Sequence, residues 1–198
     1  AANSTSKIWV NGVEQSIASG SQPISGYSYT MNQSGKPMTI GVDAWDLYTF
    51  SDTYIAETHY SDGQLYAASD FGYTDAQTGQ WRPKNGNVIK SNITYGTNGF
   101  WLDFRDATST TTLGYDYSGN GNHWTLNNMS VAAGSDNDSV TDTPTNNFPI
   151  LNPLDSDGNA PSDGNLRGGT AGTSGWRHTR STVPLPSSGK WYWEYKVP

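Results

Sequence analysis

Asp116-Tyr117-Ser118-Gly119-Asn120-Gly121-Asn122 sets oxygen-bearing side chains at alternate positions. With that spacing a loop can wrap a hard cation such as calcium. Asp155-Ser156-Asp157-Gly158-Asn159 opens in a similar way. An EF-hand loop requires Gly at its sixth position and Glu at its twelfth, and here Ala160 and Leu166 stand there. A looser calcium site would draw on Asp155, Asp157 and Asp163. Turn chemistry offers the plainer alternative for both segments. Asp116 and Asn120 would bond their own backbone beside glycines at positive φ, and Asp157-Gly158 and Asp163-Gly164 would form two turns.

Other chemistries find less to work with. Retaining glycoside hydrolysis needs two carboxyl groups close together. Glu14, Glu57 and Glu194 are far apart, and no Glu-x-Asp-x-x-Glu run occurs. Glu57 reads as a structural strand residue. His59, His123 and His178 show no metal-ligand spacing and read as strand or surface residues. No Gly-x-Ser-x-Gly elbow is present for a nucleophilic serine. Trp45 and Trp81, in polar surroundings, are the candidate faces for stacking on sugar rings.

The elements that must position these residues are short strands. Hydrophobic residues make up 33% of the 198, and aromatics 13%, so the expected core is built more from Trp, Tyr and Phe than from Leu and Ile. The 22 Gly and 10 Pro force frequent turns and oppose long helices. All acids but three are Asp, which suits caps and turns. The net charge of -7 and the lack of any Lys/Arg cluster argue against nucleic acid as a partner. No apolar run is long enough to insert in a membrane. Absence of cysteine removes disulfides and thiolate chemistry, and leans towards a bacterial or viral source.

Ile8-Trp9-Val10-Asn11-Gly12-Val13-Glu14-Gln15 predicts a hairpin around a type I′ Asn-Gly turn. Strands are expected at 38–42, 54–60 and 100–104, with Phe100, Leu102 and Phe104 on one face. Leu65–Phe71 suits one helical turn stopped by Gly72, and Trp81 opens an irregular linker to about Gly99. Residues 105–147, poor in large aliphatics, predict a long polar loop over other elements. Trp176–Val183 and Trp191–Val197 would pair through a turn at Pro184–Gly189. In the latter, Trp191, Trp193 and Tyr195 alternate with polar residues, the pattern of a half-buried strand. A row so aromatic needs a neighbour. It is therefore the expected assembly interface, and the chain is expected to be part of a larger β-protein.

Three blocks carry a resemblance. Ile8–Val13, then Phe50-Ser51-Asp52-Thr53-Tyr54-Ile55-Ala56-Glu57, Asp62-Gly63-Gln64 and Asp70-Phe71-Gly72, resembles the C-terminal half of a laminin-G-like (concanavalin A-like) sandwich of bacteriophage tail and other virion proteins. Tyr95–Phe104, Asp116–Trp124 and Asp142–Phe148 are similar to a connector in the same proteins. Ser188-Gly189-Lys190-Trp191-Tyr192-Trp193-Glu194 looks like the opening strand of a SPRY-type sandwich. The resemblance implies an all-β chain: an antiparallel β-sandwich of jelly-roll type with long irregular loops, and the start of a second. Residues 1–80 would be the laminin-G-like part, 81–147 the connector, and 148–198 the start of the SPRY-like domain. It implies a non-enzymatic virion protein on the exterior, extracellular side of the particle, in a tail or tail fibre, serving assembly and host attachment. Its expected partners are copies of itself, other virion proteins and a host cell-surface glycan. A glycan-binding, lectin-like receptor module is the alternative.

Overall fold

The computed structural model of the chain describes residues 7–17, 35, 37–43, 48–51, 53–132, 137–140, 148–157, 161–162, 164–168, 178–185 and 187–194. Among the described residues strand outweighs helix, 23% to 11%, and the strands pair two by two in small sheets, none closed into a barrel. The chain forms two compact units, Ala1–Asn128 and Met129–Pro198. Among the described residues no helix is long and apolar enough to cross a membrane.

The first unit opens with the expected hairpin. Strands β1 (Ile8–Val10) and β2 (Val13–Gln15) pair in register, and Asn11 and Gly12 take the positive φ values (50° and 76°) that a type I′ turn requires. The 38–42 segment forms no strand; Val42 makes one isolated bridge to Phe50. Of 54–60 only Thr58–Tyr60 is strand (β3), and Tyr54 is exposed. A helical turn, α1 (Ala68–Phe71), does end at Gly72. β4 (Gly72–Thr74) follows at once and pairs with β5 (Trp81–Pro83).

The expected linker from Trp81 to Gly99 instead holds β5 and a helix, α2 (Gly86–Asn92). Asn85 caps it, its Oδ1 accepting the Asn87 N–H at 3.0 Å. Ile89 and the C-cap residue Ile93, four apart, face the same way and are both buried. The stretch is too short to show a sustained helical period, and the cap was its legible signal.

β6 (Phe100–Leu102) pairs antiparallel with β3, so the segments either side of position 80 share one sheet. All three β6 residues are buried, on both faces of the strand. Phe104, expected to continue the inward row, has φ 52° and leaves the strand. The polar loop beyond it contains α3 (Thr110–Leu113). A reciprocal cap between Ser109 and Thr112 closes this helix, and it buries Leu113. The core therefore mixes Ile89, Ile93, Leu102 and Leu113 with Tyr95, Phe100 and Trp101. Tyr66, Phe71 and Tyr117 are partly buried and pack against it, so aromatic side chains outnumber aliphatic ones in this interior, while Ile8, Val10, Ile55 and Leu65 stay exposed.

In the second unit β7 (Leu151–Ser156) pairs with β8 (Thr179–Ser181) around an irregularity between Leu151 and Ser156. β8 thus takes β7 as its partner, where the sequence pattern predicts pairing with 191–197. Trp191–Glu194 lie in no strand, and 195–198 fall outside the described residues, as does Trp176. A bridge between Ser162 and Arg167 closes a turn in which Gly164 packs against Val140.

Candidate functional site

The chemically richest region surrounds Trp101 at the centre of β6. Glu57 and His59, two apart on an extended segment, project to the same side. Pairing of β3 with β6 sets His59 opposite Trp101, their rings 5.5 Å apart and 12° from parallel. Glu57 Oε1 accepts the Trp101 indole N–H at 2.5 Å and the His59 Nε2–H at 3.0 Å. A carboxylate only accepts, so His59 donates from Nε2, and its Nδ1 is joined to the Tyr95 hydroxyl by a hydrogen bond of 2.7 Å. Burial, with the charges of Glu57 and Asp116, pushes the Tyr95 phenol well above its usual range.

Asp116 holds the opposite side of Trp101. Its Oδ1 accepts the backbone N–H groups of Trp101 and Ser118, each at 2.8 Å. Its Oδ2 accepts the Ser118 hydroxyl at 2.8 Å and the Asn122 N–H at 2.9 Å. Burial alone would raise this carboxyl; the hydrogen bonds from Trp101, Ser118 and Asn122 outweigh it and hold the group below the ordinary carboxylate range. The Asp116 N–H donates to His123 Nδ1 at 3.0 Å, which closes the loop on itself. The His123 ring lies 4.7 Å from that of Tyr115.

Asn120 and Asn122 complete the arrangement as staples. Asn120 Nδ2 donates to the carbonyls of Gly96 (2.6 Å) and Gly99 (2.8 Å), and Asn122 Nδ2 to those of Thr97 (3.0 Å) and Gly99 (2.9 Å). From the other side Asp62 accepts the Asn98 amide at 2.8 Å and donates its own N–H to Tyr95 at 2.7 Å. Gly99 is needed here, because a Cβ would collide with the Tyr95 carbonyl. The 95–99 loop is thus clamped between Asp62 and the 116–123 loop.

Asp116 and Asn120 do come together, but as hydrogen-bonding partners of the chain itself. The carboxylate oxygens that could wrap a cation each accept two donors, and Asn120 turns its NH2 group, not its oxygen, towards the loop it holds. In the second unit Asp155 is paired bidentately with Arg180 Nη1 at 2.9 and 3.2 Å, and Asp157 Oδ2 stands 4.0 Å from His178 Nδ1. Among the described residues no three His, Asp or Glu side chains gather as a metal site would require. Asp163 lies outside the described residues.

Trp81, a candidate face for sugar stacking, has one side of its ring against the chain itself. It is half-buried, its ring seated on Gly12 and Gly72, where any Cβ would strike it. Trp45 and Tyr195 lie outside the described residues. Trp191 and Trp193 are 58% and 60% exposed and flank Tyr192 at 84%. The Trp191 indole N–H donates to the Ser188 carbonyl at 2.8 Å, and Tyr192 OH donates to Glu194 at 2.6 Å. The Glu57–His59–Tyr95 chain was the feature the sequence obscured. Its one local sign is the i, i+2 spacing of Glu57 and His59; Tyr95 joins only through the fold.

No protein-family model, curated protein or solved structure matches the chain.

Proposed function

We propose that this chain is a non-enzymatic structural segment of a bacteriophage virion, in a tail or tail fibre, with a sandwich-type, concanavalin A-like ancestry. It serves assembly and host attachment by packing against copies of itself and other virion proteins on the outside of the particle. The observation that carries the reading is the exposed run Trp191-Tyr192-Trp193. Large aromatic side chains left this open to solvent are the kind of surface that contact with another protein covers. The polar clusters support it from the other direction. Asp116, Asn120, Asn122, Glu57 and His59 all bond to the chain's own groups, the arrangement of a rigid connector.

Mass measurement in solution tests the proposal. The wild-type chain should self-associate with rising concentration, and the Trp191→Ser/Trp193→Ser double variant should remain monomeric. A wild-type chain that stays monomeric, and captures no neighbouring virion protein, overturns the reading. Release of reducing sugar from a bacterial surface polysaccharide would overturn its non-enzymatic part.

One observation favours the lectin-like alternative. Tyr115 and His123 form an exposed ring pair, and the backbone N–H of Asp116 donates to His123 Nδ1, which leaves the ring proton on Nε2. An aromatic face beside a fixed donor suits a glycan. Glycan-array binding lost in Tyr115→Ala would establish it.

A further inference from the structure

Asn-Gly occurs four times: Asn11-Gly12, Asn85-Gly86, Asn98-Gly99 and Asn120-Gly121. The pair is labile because a glycine N–H, with no Cβ beside it, can reach the preceding side-chain carbonyl. The fold treats the four unequally. Asn85 is held as the α2 cap, its side-chain oxygen accepting from Asn87 N–H at 3.0 Å. Asn98 Nδ2 is bound to Asp62 at 2.8 Å, and Gly99 is buried. Asn120 Nδ2 makes two bonds to loop carbonyls. Asn11 stands exposed at the hairpin tip, and its amide has no hydrogen-bond partner among the described residues. The β1–β2 ladder closes on Val10 and Val13, which leaves the Gly12 N–H outside it.

We propose that Asn11 is the folded chain's site of spontaneous deamidation. The Gly12 nitrogen attacks Asn11 Cγ and a new N–Cγ bond forms. The Cγ–Nδ2 bond breaks, and the displaced nitrogen takes the Gly12 proton and leaves as ammonia. Water then adds to either carbonyl of the resulting succinimide. Opening one way gives aspartate, and the other way gives isoaspartate, with the backbone rerouted through the side chain. Water is the only co-reactant. Isoaspartate lengthens the main chain inside a two-residue turn, where register has no slack. The change is felt at Trp81, whose ring rests on Gly12.

The test is peptide mapping with isoaspartate-specific labelling of the full chain, aged in mildly alkaline buffer with and without urea. In the folded chain Asn11 should convert at least about tenfold faster than Asn85, Asn98 or Asn120, because each of those must first lose hydrogen bonds. In strong urea the four rates should draw together. Asn11→Gln should abolish the signal at position 11 and leave the other three unchanged. Conversion at Asn85, Asn98 or Asn120 as fast as at Asn11 in the folded chain, or a ranking that urea does not alter, overturns the proposal.

Discussion

His59 and Trp101 face each other across the β3–β6 ladder, and one oxygen of Glu57 bonds the ring N–H of both. A single acceptor thus fixes the orientation of two stacked rings, and through His59 it fixes the hydroxyl of Tyr95. Removing that acceptor strands two partly buried donors at once. Glu57→Ala should therefore cost about 2 kcal/mol or more, read as a fall in urea midpoint at constant slope. Glu57→Gln keeps a carbonyl oxygen in the same place and should recover most of that stability. A Glu57→Ala chain as stable as wild type, within about 0.5 kcal/mol, would mean that these bonds contribute nothing net.

Asp116 makes stability sensitive to acid. Its folded carboxyl sits below the ordinary value of 3.8, so the folded state holds its proton less readily than the unfolded one. The resulting stabilisation is complete above the unfolded value and is lost as pH falls through the lower folded value. Asp116→Asn places an NH2 group against backbone donors and should cost about 2–3 kcal/mol at neutral pH. The gap between variant and wild type should narrow steadily below about pH 4. Denaturation midpoints across pH 2–7 would record this. A gap that stays constant across that range would show that the carboxylate charge is not what the backbone donors stabilise.

Tyr95 sets the opposite limit. Its folded phenol ionises later than an unfolded tyrosine, whose pKa is about 10. Folded protein therefore keeps a proton that unfolded protein releases. The stabilisation is intact below about pH 10 and declines as pH rises beyond it. Tyr95→Phe should cost about 1 kcal/mol at neutral pH by leaving His59 Nδ1 unpaired. In the alkaline range the variant should lack the part of the decline that Tyr95 causes. Equal alkaline slopes for both proteins would rule out this role.

The legible parts of the fold were those encoded over a few adjacent residues. Asn11-Gly12 specifies its turn by backbone conformation alone, and Gly72 stops α1 directly after Phe71. Segments that depend on distant partners were hidden. β8 takes β7 as its neighbour, a choice set by pairing that no local alternation records. Leu113 becomes core because the Ser109–Thr112 cap winds one turn in an otherwise polar stretch. The Asp116–Asn122 motif was visible, and its oxygen spacing fits both a cation loop and a turn. What the spacing could not reveal is that the 95–99 loop, about twenty residues away, supplies the carbonyls that Asn120 and Asn122 bind.

Gly86 separates helix propensity from packing. It is the first residue of α2, where replacing glycine by alanine ordinarily gains up to about 1 kcal/mol from lower chain entropy. At this position a Cβ would run into the Glu57 carboxylate and the Trp101 ring. Both neighbours are already committed, Trp101 to the core and Glu57 to two donors. Neither can withdraw without breaking the hydrogen bonds that join them. Overpacking of a tight site costs about 1–3 kcal/mol, so the clash should outweigh the propensity gain. Gly86→Ala should lower the thermal midpoint, and near-ultraviolet circular dichroism should register a disturbed Trp101 environment. Asn87→Ala, one residue further on at an exposed position, should be neutral or slightly stabilising. A more stable Gly86→Ala chain would show that Glu57 and Trp101 have room to yield, and the rigid arrangement inferred for them would not hold.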